Sequence, residues 1–158
     1  GFLGTLKGAS FFYELREDAE LMELARRFLN DEVGEALFSK HGRALERNYY
    51  LNYAPTILRR VTCPGFRDPL ARGTRGALRK LQPWERLVGG ARAVSQQGIE
   101  PVAYARGLAA AIIVARRQGE TELSFEGVLR EHCGLDRAEE RKLWDVVCQA
   151  GQQLNREY

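Results

Sequence analysis

The chain is 158 residues long, 44% apolar and 28% charged, with a formal net charge of +3. That balance fits one globular domain with enough length to bury a core, and it excludes a disordered or low-complexity chain. The longest apolar run, Val102 to Ala115, is 14 residues and is interrupted by Arg106; a bilayer needs about 20, so the run reads as a buried core helix and no membrane partner is expected.

Gly1-Phe2-Leu3-Gly4 starts in mid-pattern, with neither a methionine nor a capping residue ahead of it. Met-Gly processing or a cut from a longer chain would each give such a start. From Glu20 to Ser39 the apolar positions are Leu21, Leu24, Ala25, Phe28, Leu29, Val33, Ala36 and Leu37, one stripe of an amphipathic helix. Glu23 and Arg27 lie four apart on its outer face, and Gly42 is placed to stop it. A second helix is predicted from Arg47 to Val61, with Tyr49, Tyr50, Tyr53, Ile57, Leu58 and Val61 as its stripe and a kink or restart at Pro55.

Cys63-Pro64-Gly65 then breaks the chain, and Pro69, Gly73 and Gly76 keep the next segment short and irregular. Pro83 suits the first turn of a helix carrying Trp84, Leu87, Val88, Ala91 and Val94, which Gly98 ends. Pro101 opens an alanine-rich helix to about Gln118, apolar on nearly every side and therefore central. Ser124 caps a short helix to His132. Asp136 with Glu139 forms a D-x-x-E capping box for a last helix with Leu143, Trp144, Val147 and Leu154 facing inward. With no convincing strand, repeat or low-complexity tract, the fold class is all-α, a multi-helix domain over residues 1–158.

Charge is unevenly spread. The segment from Arg59 to Arg92 holds nine of the 24 lysines and arginines and two acids, Asp68 and Glu85, for a local +7. The remaining 15 basic and 19 acidic groups give −4, which restores the total of +3. This basic middle is either a solvated surface whose arginines pair with the acidic arms, or a set converging on a carboxylate or phosphate. For the second role Arg79 and Lys80, with Arg67, Arg75 or Arg86, are the candidates, because a guanidinium grips an oxyanion bidentately and an ammonium adds a compact charge. A phosphate-tracking nucleic-acid surface would be richer in lysine and would raise the charge of the whole domain, so no nucleic-acid partner is expected.

Other chemistries have little support. The three cysteines form no CxxC and read as free thiols of a reducing, cytoplasmic setting. His41 and His132 lack partners at ligand spacing, and His132-Cys133 reads as structural, so no metal is expected. No GxGxxG or GxxxxGK[ST] loop is present to cradle a nucleotide. The three tyrosines at helical spacing read as core or groove lining more readily than as base-stacking platforms. Glu120, Glu122 and Glu126, like Glu139 and Glu140, read as solvated faces.

Several phrases, in order, resemble the C-terminal helical domain of the mannitol dehydrogenase family, nearest its branch acting on mannitol 1-phosphate. Phe2-Leu3-Gly4-Thr5-Leu6-Lys7-Gly8 is similar to that domain's opening Tyr-Leu-Gly-x-Leu-x-Gly. Phe66-Arg67-Asp68-Pro69 resembles its Arg-Phe-x-Asn-Pro. Leu78-Arg79-Lys80-Leu81 followed by Glu85-Arg86-Leu87 matches its Arg-Lys-Leu…Asp-Arg-Leu phrase. Gly107-Leu108-Ala109-Ala110-Ala111 and Gly134-Leu135-Asp136 also fall in family order.

The resemblance implies an NAD-dependent enzyme that interconverts a polyol phosphate and a ketose phosphate, of the mannitol 1-phosphate to fructose 6-phosphate type. A Rossmann-type N-terminal domain would hold the NAD, and a helical domain like that of 6-phosphogluconate dehydrogenase-like oxidoreductases would close over the substrate. The family's catalytic Lys-x4-Asn-x2-His lies just before the Tyr-Leu-Gly phrase, and this chain begins after it; Lys7 falls at a variable position and does not match. No catalytic, cofactor-binding or metal residue is therefore expected here, and the chain alone is expected to be inactive. The substrate-binding set is Arg79, Lys80, Arg75 and Arg86; the partners are a polyol or sugar phosphate and the chain's own N-terminal domain. The family's spacer between Pro69 and Arg79 is longer, with an Asp and an Arg toward the substrate. The alternatives are a hexuronate or unphosphorylated polyol reductase, or a stand-alone helical binding module. A fragment should leave Phe2, Leu3 and Leu6 as an exposed apolar patch, and a stand-alone module should not.

Overall fold

One helix, Val102–Arg117, is buried on almost every side, and the other elements are laid around it. A computed structural model describes residues 1–158, the side chain of Arg43 excepted. The elements run α1 (Phe2–Leu6), a 3-10 turn (Phe12–Glu17), α2 (Ala19–Arg27), a π-helical segment (Phe28–Gly34), α3 (Glu35–His41), α4 (Arg47–Val61) and α5 (Leu70–Thr74). Two further 3-10 turns (Gly42–Ala44, between α3 and α4, and Arg79–Leu81), α6 (Arg86–Gln96), α7 (Val102–Arg117), α8 (Phe125–Glu131) and α9 (Arg141–Glu157) complete the chain. No strand is formed among the described residues. A single antiparallel bridge, Phe11 to Pro69, clips the first loop to the segment before α5.

The alanines of α7 explain its place. Ala103, Ala105, Ala109, Ala110, Ala111 and Ala115 are buried, and a surface of methyl groups lets neighbouring backbones approach closely. The main core joins α7 to Phe2 of α1, Leu81, Val88 and Ala91, Val128 and Leu129 of α8, and Leu143, Trp144, Val147 and Leu154 of α9. Leu3 and Leu6 pack against this core and Phe2 is buried in it. Leu3 and Leu6 remain partly exposed, and Leu3 lines an open, mostly apolar chamber with Gly1 and Gly4.

A second, smaller core lies under Leu29, Tyr50 and Ala54, with Phe28, Val33, Leu37, Phe38 and Ile57 against it. Here the structure departs from the predicted single helix over Glu20 to Ser39. The ladder widens to π over Phe28–Gly34, a form frequent at functional sites. Gly34 is what lets α4 approach, since a Cβ would come within 2.9 Å of the Tyr50 ring. The Tyr50 hydroxyl donates to the Leu29 carbonyl at 2.7 Å. Glu32 in the π segment is buried, and its carboxylate accepts from the backbone N–H groups of Ala103 and Tyr104, at 2.5 and 3.1 Å. These are the second and third residues of α7, whose first-turn donors have no intrahelical partner. A distant carboxylate therefore caps the central helix.

Other boundaries match the sequence. α4 runs as one helix through Pro55, so of the kink or restart expected there the restart does not occur. Gly42 and Gly98 take positive φ of 50° and 75° where helices end, and the Ser124 hydroxyl accepts from Gly127 N–H at the start of α8. Three local readings are corrected. The outer-face pairs of α2 are Arg26–Glu23 and Arg27–Asp31, not Glu23–Arg27. Trp84 precedes α6 and is 78% exposed. Asp136 does accept from Ala138 and Glu139 N–H, but α9 begins at Arg141, since Glu140 is drawn to Arg92 instead.

The α6–α7 contact is tight at Gly90, where a Cβ would lie 2.3 Å from the Tyr104 hydroxyl oxygen. Tyr104 is itself set edge-on against Phe28, ring centroids 4.7 Å apart, so it cannot yield cheaply. Gly90→Ala is expected to destabilise the fold by roughly 1–3 kcal/mol. Gly107→Ala, whose Cβ would meet only Leu87 at 3.8 Å, is expected to stabilise it by about 0.5–1 kcal/mol. Thermal unfolding of the pair measures both.

Arg92 on α6 donates to both Glu140 oxygens, at 2.7 and 2.8 Å, and to the Gly134 carbonyl. The hydrogen bond from Arg92 holds the Glu140 carboxyl below its ordinary 4.5. Its stabilising effect is complete above that value and is lost as pH falls through the lowered one. Arg92→Met should cost roughly 1–3 kcal/mol at neutral pH, and the gap between variant and parent should close as unfolding is monitored into acid.

Candidate functional site

The basic middle folds into short pieces that bring some of its cations together. Glu120, at the loop after α7, accepts from the backbone N–H groups of Ala77 and Leu78 at 3.2 and 2.8 Å. It thereby holds the entry to the 3-10 turn Arg79–Leu81, and Leu81, fully buried, anchors the other end of the turn. Arg79 and Lys80 project from this turn. Arg86 comes from the first residue of α6. Together with Phe2, Phe12, Gly73, Glu85 and Leu87 they line one open cleft of about 650 Å³. Arg75 is exposed and is not among its lining residues. Arg67 sits elsewhere, with Arg60, Phe66 and Arg72.

Within the cleft the two adjacent cations are held differently. Arg79 reaches back to Glu85 at 2.8 Å and is 68% exposed, so that pair stabilises little. Lys80 is half-buried: its ammonium donates to the Gly73 carbonyl and lies 5.9 Å from the centre of the Phe2 ring. Burial, then the neighbouring Arg79 charge, pushes its pKa below the ordinary value. Glu85 and Glu120 oppose this from further off, but no carboxylate among the described residues pairs with Lys80 directly. Gly73 is required at the cleft wall, since a Cβ there would come 2.8 Å from the Phe12 ring.

The expectation that the arginines pair with acids holds in part. Arg72 forks onto Asp68, Arg79 meets Glu85 and Arg92 meets Glu140, so two of the three pairs are local and only one reaches an acidic arm. No partner within ion-pair distance holds Arg75 or Arg86 among the described residues. Lys7 is occupied by Asp18 and Glu20, at 2.8 and 2.7 Å.

The tyrosine stripe divides. Tyr50 is core, whereas Tyr49 and Tyr53 are exposed and stacked on each other, ring centroids 6.4 Å apart. Sequence reasoning missed Glu120, Phe12 and Gly73, which shape the cleft. Glu120 is not the solvated residue expected; a glutamate one residue past a helix-ending glycine was the available signal. Cys133 is buried and its thiol is pushed up to about 12 by that burial, which suits packing and not nucleophilic chemistry.

Arg79→Gln removes a repelling charge and frees Glu85 to act on Lys80. The Lys80 pKa is therefore expected to rise toward its ordinary value, read by NMR titration of a 13C-labelled lysine methylene. An unchanged or lower value would mean that the two cations do not share the cleft.

No helix of the described residues is long and apolar enough to cross a membrane, and they contain no cluster of potential metal ligands. No family model matches the chain. Among curated proteins it is 33% identical over 111 residues to a mannitol-1-phosphate 5-dehydrogenase of Exiguobacterium sp., covering 70% of this chain and 28% of that protein. It is 28% identical over 140 residues to that of Aureobasidium melanogenum, covering 87% and 35%. The enzyme of Neurospora crassa is 25% identical over 161 residues, covering 96% and 39%. The chain thus spans about a third of the length of these relatives. The order of its phrases and these matches agree: the chain is a relative of the mannitol dehydrogenase family, similar over most of its length to mannitol-1-phosphate 5-dehydrogenases.

Proposed function

We propose that this chain is the substrate-binding helical domain of an NAD-dependent polyol-phosphate oxidoreductase, of the mannitol 1-phosphate to fructose 6-phosphate type. The observation that carries the reading is the cleft in which Arg79, Lys80 and Arg86 meet around a partly desolvated ammonium. A phosphate monoester near neutral pH carries about −1.5 to −2 charges. Such a group would restore the charge balance that burial denies Lys80, while Arg79 and Arg86 fork onto its oxygens. Arg75, just before the turn, would join only for a ligand extending along the surface. The relatives bear the names of enzymes acting on such a phosphate.

The chain's own residues do not suit a nicotinamide. Among them no strand feeds a glycine-rich turn into a helix, the arrangement that holds a dinucleotide pyrophosphate. No lysine stands at the head of a Lys-x4-Asn-x2-His motif either. In this reading NAD and the proton-abstracting base belong to a preceding Rossmann-type domain, and the all-helical architecture corresponds to the second domain of 6-phosphogluconate dehydrogenase-like oxidoreductases. The residues 1–158 then recognise, orient and shield the phosphorylated end of the substrate, in the cytoplasm where such phosphates are made.

A second reading, a helical binding module without catalysis, has one observation in its favour: Phe2, Leu3 and Leu6 pack into this chain's own core. The reading frame upstream of Gly1 separates the two. A frame encoding a GxGxxG turn and Lys-x4-Asn-x2-His supports the dehydrogenase, and a start codon immediately before Gly1 supports the module.

Inorganic phosphate is expected to raise the unfolding temperature of the chain, less so for Arg79→Ala and Lys80→Ala, and undiminished for Arg75→Ala. In the complete dehydrogenase either cleft substitution should raise KM for the polyol phosphate tenfold or more, the loss expected for one charge-assisted bond of roughly 1.5–3 kcal/mol. Unchanged KM and turnover would remove Arg79 and Lys80 from the ligand set. Competition by a hexuronate but not by phosphate would move the reading to an unphosphorylated substrate.

A further inference from the structure

A second site lies among the first helices and α4, and it borders the Arg79 cleft at Gly1, Phe12 and Leu87. It has two chambers that share Met22, Leu58 and Thr62 as common wall. The inner chamber, about 230 Å³, is walled by side chains such as Leu15, Leu24, Phe28 and Tyr104, with Gly107 of α7 opposite. The outer one, about 490 Å³, carries Arg16, Arg26 and Arg59, with Glu17 as its one acid. Arg26 is engaged by Glu23 at 2.8 Å, whereas Arg16 and Arg59 have no acid within ion-pair distance among the described residues. On the floor of the outer chamber, in the π segment, the Asn30 side-chain oxygen is buried with no hydrogen-bond partner. Met22, flexible and polarizable, stands where the chambers meet.

We infer that this site binds an amphiphile with a straight acyl chain and a carboxylate head. The two chambers set the two halves of the ligand. The inner wall is mostly hydrocarbon; its polar members are Gly1 at the chain start, Tyr104 and Thr62, and Thr62 spends its hydroxyl on the Leu58 carbonyl at 2.8 Å. A polyol there would lose its water and gain few partners, so the sugar phosphate of the first cleft does not fit. Such a wall favours an apolar guest, whose seating removes hydrocarbon surface from water. A short unbranched hydrocarbon chain is the guest that matches this wall, and octanoate represents that class. At its mouth the guanidinium groups of Arg16 and Arg59 suit a carboxylate.

Isothermal titration of the 158-residue chain with octanoate, octanol and inorganic phosphate tests the assignment. Octanoate is expected to bind at one saturable site. Arg59→Gln should weaken octanoate about tenfold and leave octanol unchanged, since only the head is touched. Gly107→Leu, which places a side chain toward the inner chamber on a well-formed helix, should weaken both tenfold or more. Ala25→Leu, from the opposite wall, serves if that variant does not fold. Lys80→Ala should change neither. The inference is overturned if octanoate does not bind at millimolar concentration, or if it binds no better than octanol. Insensitivity to both Arg59→Gln and the chamber-filling variant would overturn it too, as would loss of octanoate binding in Lys80→Ala, which would place the ligand in the first cleft.

Discussion

The burial of α7 is the constraint on which the rest depends. A helix surrounded by protein cannot have its end groups met by water, so its first-turn donors need acceptors from elsewhere. Glu32 supplies them from 71 residues away, at the expense of taking a carboxylate out of solvent, which pushes the Glu32 pKa up despite the two N–H donors. The π widening belongs to the same arrangement: Glu32 sits inside the widened segment, and Gly34, two residues on, admits Tyr50. The small core and the large one are thus joined through one carboxylate and one ring.

A similar device shapes the cleft. Glu120 comes directly after α7 and holds two backbone donors ahead of the Arg79–Leu81 turn. The central helix therefore has a carboxylate working at each end, one securing its own start and one positioning the basic turn. Such interactions to ionised acceptors are among the stronger hydrogen bonds a protein makes. They also explain how a segment with a local excess of positive charge stays folded: its acids and the neighbouring ones are spent on backbone donors and on particular arginines, while Lys80 and Arg86 are left facing the cleft.

Much of the helical skeleton was legible because helix periodicity and capping are local. The bounds of α4, the Ser124 cap, the positive-φ glycines at 42 and 98 and the buried alanine helix all rest on interactions within a few residues. The errors share a cause. Tyr49, Tyr53, Val61 and Trp84 fit an apolar pattern yet are exposed, because a pattern states which residues could be buried and not whether another element arrives to cover them. Glu139 fits a capping box, but Arg92, far along the chain, claims Glu140 and shifts the start of α9. The π segment leaves no mark on a 3.6-residue stripe, since it arises from the docking of α4.

The sequence by itself determined the all-α class, the order of the helices, the central role of the alanine-rich segment and the kinship with mannitol-1-phosphate 5-dehydrogenases. These rest on local propensity, apolar spacing and ordered short phrases. Only the tertiary structure decided which cations of the basic middle share a cleft, which acids hold them or hold backbone in their place, and that an arginine-rimmed apolar chamber opens between α2 and α4. Charge counted along a chain is blind to distance in space; Arg79 lines the cleft and Arg75, four residues earlier, does not, while Gly73, Phe12 and Lys80 meet there.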